Sequence, residues 1–128
     1  MILGIGIDIC DVRRLQDQLA RPGDDVIATI FSVAEIAYCQ RKRFPAQHFA
    51  ARVAAKEAVV KALSAGGGSG LFWQDIEILP TEGGQPEVRL SGRAAELAAA
   101  LKVARVWVSL SHVEDFATAS VILEGTGG

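Results

Sequence analysis

Phe49-Ala50-Ala51-Arg52-Val53-Ala54-Ala55-Lys56-Glu57-Ala58-Val59-Val60-Lys61-Ala62-Leu63-Ser64-Ala65-Gly66 is the stretch from which the rest of the chain is read. Alanine is the strongest helix former, so the composition predicts a helix that stops at the glycine run after Ala65. At about 100° per residue, Phe49, Val53, Val59, Val60 and Leu63 share one arc, and Arg52 and Lys56 fall inside it. Glu57 and Lys61 lie on the flank of that arc, one turn apart. Ala51, Ala54, Ala55, Ala58 and Ala62 form a flat face suited to close packing. No polar face remains, so the helix is expected to be buried nearly all round.

Glu57 and Lys61 admit two readings. As an exposed i,i+4 ion pair they would contribute about 0.2–0.5 kcal/mol. On a buried helix, charge is costly unless it is paired or holds a metal or an anion. The helix alone leaves both open.

With 128 residues, half of them hydrophobic and 22% charged, the chain is long enough for one well-filled domain and too apolar for disorder. A net charge of −2 gives no general attraction to nucleic acid or to an anionic membrane surface. Cys10 and Cys39 make neither a metal-binding spacing nor a framework of bridges. Met1 leads straight into a strand-like run, without a signal peptide or an apolar stretch long enough for a membrane helix, so a reduced, cytoplasmic setting is expected.

Upstream, Ile2-Leu3-Gly4-Ile5-Gly6-Ile7-Asp8-Ile9 alternates with period two and predicts a strand. Ile5, Ile7 and Ile9 take one face. Gly4, Gly6 and Asp8 take the other, leaving a lone carboxylate beyond two positions without a side chain. Glycine in a strand often marks close approach of a ligand or another backbone, though Asp8 also suits a plain strand end. Asp11 is placed to cap a helix over Val12–Ala20, whose Arg13, Arg14 and Arg21 make it basic in an acidic chain. Such a face is either simply solvated or a dock for an acidic partner. Ser32-Val33-Ala34-Glu35 fits a capping box for a helix through Gln40, and Pro45 separates that helix from the central one.

Downstream, Leu71–Leu79 reads as a strand, Pro80–Pro86 as a hairpin connection and Glu87–Leu90 as its partner. Gly92–Lys102 reads as a packing helix, and Arg105–Ser111 and Phe116–Leu123 as the last strands. Late strands on short turns, with helices elsewhere, predict an α+β domain over residues 1–124: a mostly antiparallel sheet around a long central helix, with a Gly-rich tail at 125–128. Asp8 and Glu57 are hard oxygen donors from different elements, close in sequence to several cations. That combination suggests Mg²⁺ shared with a phosphate or diphosphate. The run beginning at Gly66 could present backbone N–H groups to an anion, but it lacks the Walker lysine. His112 has no nearby Asp or Cys partner in sequence.

Taken together these segments resemble the holo-[acyl-carrier-protein] synthases, the small-chain 4′-phosphopantetheinyl transferases, from Gly4 to about Glu124. The resemblance rests on Gly4-Ile5-Gly6-Ile7-Asp8-Ile9, the Arg52-x-x-x-Lys56-Glu57-x-x-x-Lys61 core, Asp75-Ile76-Glu77-Ile78, Gly84-Gln85-Pro86 and Val108-Ser109-Leu110-Ser111-His112. Two departures are visible. The family's Gly-Thr-Gly after the central helix is here Ser64-Ala65-Gly66, and a Glu three residues after the strand Asp is here Asp11. The resemblance implies transfer of the phosphopantetheine arm of coenzyme A to a serine of an apo acyl carrier protein, releasing adenosine 3′,5′-bisphosphate, in fatty acid biosynthesis. It implies Mg²⁺ on Asp8 and Glu57, and Lys61 on the phosphate and the leaving group. Arg52, His112 and Gly66 would be further coenzyme A phosphate contacts, and Arg13, Arg14 and Arg21 a carrier-protein dock. It also implies a homotrimer with interfacial active sites, and a serine deprotonated by Glu57 or by metal-bound water. Two rivals share the residues: a Mg²⁺-dependent diphosphate hydrolase and a non-catalytic carrier-binding module.

Overall fold

The computed structural model describes residues 1–23, 25–63 and 73–127. Strand β1 (Ile2–Asp11) leads into helices α1 (Val12–Leu19), α2 (Val26–Ile30), α3 (Val33–Gln40) and the 19-residue α4 (Pro45–Leu63). A 3₁₀ turn, Trp73–Asp75, precedes strands β2 (Ile76–Pro80) and β3 (Pro86–Leu90), helix α5 (Gly92–Ala100), and strands β4 (Val103–His112) and β5 (Phe116–Gly125). Among the described residues the strands form an antiparallel sheet of order β1-β5-β4 and a separate β2–β3 hairpin. The α+β architecture around a long central helix is the one expected.

The differences from the sequence reading are local. Pro45 does not separate two helices; it starts α4. At the first helical position proline forfeits only an N–H that has no intrahelical partner, and its φ is already helical. Helix α2, five residues long, is too short to show periodicity and was not foreseen. Residues 73–75 of the expected strand Leu71–Leu79 are a 3₁₀ turn, because Asp75 caps α5: its Oδ2 accepts from the Arg93 N–H at 3.1 Å. Residues 71 and 72, like the expected continuation of α4 through Ser64 and Ala65, lie outside the described residues. β5 extends to Gly125, whose N–H donates to the Met1 carbonyl at 2.8 Å, so the tail begins a residue later than expected.

The alanine face of α4 is filled within the chain by β1 and β5, with Ala54, Ala55 and Ala58 fully buried. β1 lies against the helix backbone itself. A Cβ on Gly4 would sit 2.5 Å from the Ala62 carbonyl oxygen, and one on Gly6 would overlap the Ala58 carbonyl. The close approach anticipated at these glycines is therefore to a helix. It turns the strand's usual pattern inside out: glycines and Asp8 face inward, while Ile5, Ile7 and Ile9 are 65%, 65% and 61% exposed.

The edge of β2 away from β3 is closed by side chains. The Ile78 N–H donates to Glu35 Oε2 at 2.9 Å, and the Ile78 carbonyl accepts from Arg52 Nε at 3.2 Å. Lys56 Nζ donates to the Ile76 carbonyl, to the Trp73 carbonyl at 3.0 Å and to Glu35 Oε1 at 2.9 Å. The Lys56 and Glu35 side chains are both 0% exposed. Burial pushes the Lys56 ammonium below the ordinary lysine pKa, with Glu35 opposing it. Three charged groups thus do for β2 what a neighbouring strand would have done.

Candidate active site

Asp8 follows Gly4 and Gly6 on the helix side of β1 and meets α4 where the helix is least covered. Val53, Glu57 and Val60 are half-buried and Lys61 is exposed, forming a stripe at i, i+4, i+7 and i+8. Lys61 Nζ donates to Asp8 Oδ1 at 2.7 Å and to the Ile7 carbonyl at 3.1 Å. Lys61 thus ties helix to strand, reaching beyond the partner one helical turn away that the sequence offered. Burial, and then the charge of Asp8, raise the Glu57 carboxyl above its ordinary pKa, with Lys61 pulling the other way. The Cys10 thiol, next on the same face of β1, is pushed up to about 11 by burial and then by Asp8, Asp11 and Glu57. Asp8, Asp11 and Glu57 therefore share one field. Asp11 is already engaged as the cap of α1, accepting from the Arg14 N–H at 3.0 Å.

Among the described residues no cluster of three or more His, Cys, Asp and Glu side chains could by itself hold a metal. Two carboxylates from facing elements, with the Glu57 carboxyl raised by burial and then by the charge of Asp8, nevertheless suit Mg²⁺, which binds through one or two protein carboxylates together with water and substrate oxygens. A cation there would relieve the repulsion evident at Glu57, so Asp8 and Glu57 fit the metal that the sequence implied.

Arg52 and Lys61 are nine residues apart on α4, half a revolution out of phase and about 13 Å apart along the axis at ~1.5 Å per residue. Arg52 is 3% exposed and lies on the β2 side. It lines a cleft of about 750 Å³ with Tyr38, His48, Gln85, Arg105 and His112. Its guanidinium stacks 4.4 Å from the Tyr38 ring, and its second nitrogen donates to the His48 carbonyl at 3.4 Å. The cations of α4 thus serve three places: Lys61 the carboxylates, Arg52 the cleft and the β2 edge, Lys56 the buried pair.

Arg13, Arg14 and Arg21 are exposed on and just after α1, with Val12 and Leu15 holding the helix to the core. Arg13 Nε donates to Asp115 Oδ1 at 2.7 Å, both groups well exposed. Gly66 lies outside the described residues. Sequence reasoning missed two groups. Glu35 read as a helix cap, and the capping box is present, but the same carboxylate also neutralises Lys56. Its signal was a Lys on a helix without a polar face. His48, beside His112 in the cleft, had no signal beyond its position four residues before Arg52.

The family model for the 4′-phosphopantetheinyl transferase superfamily matches residues 4–121. A holo-[acyl-carrier-protein] synthase of Koribacter versatilis is 46% identical over 124 residues, covering 97% of this chain and 99% of that protein. One of Geotalea daltonii is 41% identical over 97% and 99% of the two. Among solved structures, the Chronobacterium ammoniagenes ACPS–CoA complex superposes with a TM-score of 0.79 at 32% identity, covering 97% of this chain and 98% of that one. The Mycobacterium tuberculosis acyl carrier protein synthase gives a TM-score of 0.77 at 35% identity, over 98% and 100%. With the ordered motif from Gly4 through Lys61 to His112 in place on this fold, the chain belongs to the holo-[acyl-carrier-protein] synthase family of the 4′-phosphopantetheinyl transferase superfamily.

Proposed function

We propose that this transferase moves the 4′-phosphopantetheine arm of coenzyme A onto a serine hydroxyl of an apo acyl carrier protein, with Mg²⁺ held by Asp8 and Glu57. The observation that carries the reading is the junction of β1 and α4. There two carboxylates from separate elements share a field, and the Lys61 ammonium lies 2.7 Å from Asp8. In the reaction the serine oxygen forms a bond to the phosphorus that bears the pantetheine arm. The bond from that phosphorus to the bridging diphosphate oxygen breaks, and adenosine 3′,5′-bisphosphate leaves. The metal, when bound, supplies charge neutralisation across the diphosphate. Glu57, which would also help hold the cation, is the carboxylate assigned to accept the serine proton. Lys61 stabilises the charge that develops on the leaving oxygen. Phosphoryl transfer needs mainly positioning and electrostatics, and the β1–α4 contact supplies both.

Arg52 and His112 serve coenzyme A from the other side of α4, with Gly66 a further phosphate contact. Arg52 and Lys61 of a single chain lie about 13 Å apart along α4 and on opposite sides of it, which supports two halves completed between copies in a homotrimer with interfacial sites. The exposed Ile5, Ile7 and Ile9, flanked by Ile122 and Trp107 in register on β5 and β4, are the face we assign to that contact. Arg13, Arg14 and Arg21 receive the acidic carrier. The protein works as a single domain in the cytoplasm, in fatty acid biosynthesis. No helix among the described residues is long and apolar enough to cross a membrane, and Cys10 and Cys39 are free thiols.

Incubation with coenzyme A, Mg²⁺ and apo acyl carrier protein, followed by intact-mass analysis, tests this. One phosphopantetheine adduct per carrier is expected. Cleavage of coenzyme A without a carrier would make the chain a hydrolase, and no consumption of coenzyme A at all would make it a binding module.

A further inference from the structure

His48 has no role in the chemistry above, yet it is built into the cleft. Its ring lies edge-on to His112, centroids 5.1 Å apart at 65°, with the Tyr38 ring behind it at 6.2 Å and 81°. Arg52 fixes the His48 backbone and stacks on Tyr38, and Lys42 Nζ covers the same ring at 4.6 Å. The charged groups around the pair are Lys42 just past the end of α3, Arg52 on α4, and Arg105 on the cleft wall. The carboxylate of the wall is Glu87, which is ion-paired with Arg89 at 3.4 Å. Burial first, then His112, Arg52 and Lys42, lower the His48 pKa. The His48 imidazole is thereby held toward its neutral form, with His112 and three cations facing it. A dianion placed among them reverses the balance.

We propose that His48, together with His112, is a proton-coupled anion subsite that becomes charged as a phosphate monoester enters beside Arg52. The inference rests on the coenzyme A reading. The diphosphate is engaged at the β1–α4 junction, which leaves the ribose phosphate as the monoester available to this cleft. The sign follows from linkage. A bound dianion raises the histidine pKa, so the added affinity is present at low pH and is lost as pH rises through the bound-state value. The second ionisation of the phosphate, near pH ~6, works in the opposite sense. It is common to wild type and variant, so their difference isolates the histidines.

The test is titration calorimetry of the metal-loaded protein with coenzyme A at pH 7, in two buffers of different ionisation enthalpy. Dephospho-coenzyme A, which lacks the ribose phosphate, is run in parallel. Wild type should take up protons with coenzyme A and not with the dephospho form. His48→Gln should bind coenzyme A with less uptake, and the ratio of its affinity to that of wild type should improve by roughly threefold or more between pH 6 and pH 8. Proton resonances of His48 and His112 in wild type, titrated with and without coenzyme A, give the same answer without a variant: both should shift to higher pKa. Binding without proton uptake, equal uptake with dephospho-coenzyme A, or unmoved histidine resonances would overturn the subsite while leaving the transferase reading intact. Absence of any coenzyme A binding would overturn both.

Discussion

With its ammonium 2.7 Å from Asp8, Lys61 would compete by its charge with a divalent cation for that carboxylate. Two consequences of opposite direction follow. Lys61→Met should lower turnover by roughly a hundredfold or more, the usual loss for a single electrostatic stabiliser. The same substitution should tighten Mn²⁺ binding to EDTA-stripped protein, read by calorimetry, because the competing charge is gone. Unchanged turnover with weaker metal binding would remove Lys61 from the mechanism. Arg14 is exposed on α1, where the proposed docking role would act through long-range attraction. Arg14→Ala should raise KM for the carrier by about three- to tenfold and leave KM for coenzyme A alone, with a smaller salt dependence. Asp8, Glu57 and Lys61 were legible in the sequence because glycines clear the way to one carboxylate and a single helical turn joins the other two residues. Arg52 and Lys61 read as one cluster of cations only until their helical phase separates them. Glu35 and His48 were illegible as functional groups because their partners come from elements far away in the chain.

At the level of elements, α4 is bound to β2 by charges and to β1 by the absence of side chains. Glu35→Ala leaves the Lys56 ammonium buried without its counter-ion, and should cost about 3–5 kcal/mol in denaturant unfolding. Glu35→Leu combined with Lys56→Met should recover most of that loss. If the single and double variants are equally unstable, the carbonyl contacts of Lys56 matter more than the ion pair. Gly6→Ala would force the added methyl into the Ala58 carbonyl and should destabilise by about 1–3 kcal/mol, with turnover falling further than stability accounts for because Asp8 shifts with the strand. Most elements were legible because period two and helical propensity are local signals. Helix α2 was not, being too short to show a period, nor was the turn at Trp73–Asp75, where Asp75 caps a helix later in the chain.

On the scale of the whole molecule, the sheet has one face on α4 and one face uncovered. Ile5 and Trp107 both pair in register with Ile122, so three large apolar side chains form one row across the strands. Ile7→Glu should leave the protomer folded, shift sedimentation to a monomer and abolish transfer, since the carboxylate junction and the Arg52 cleft would no longer be brought together. A fully active monomer would refute the interfacial site. The flat alanine face that the sequence marked for close packing is taken up within the chain by two strands. Periodicity identifies a face that must be buried, but not what buries it.

The contact of Gly4 and Gly6 with the α4 carbonyls would also bear on which ion the proposed site accepts. The approach of β1, which carries Asp8, to α4, which carries Glu57, is closest where two side chains are missing and glycine meets a helix carbonyl. An approach gauged in this way has little give, and little give favours a small ion that demands short, regular bonds over a larger one that tolerates irregular distances. Discrimination between magnesium and calcium would then be written not in the ligands, which both ions share, but in two hydrogens where methyl groups might have been.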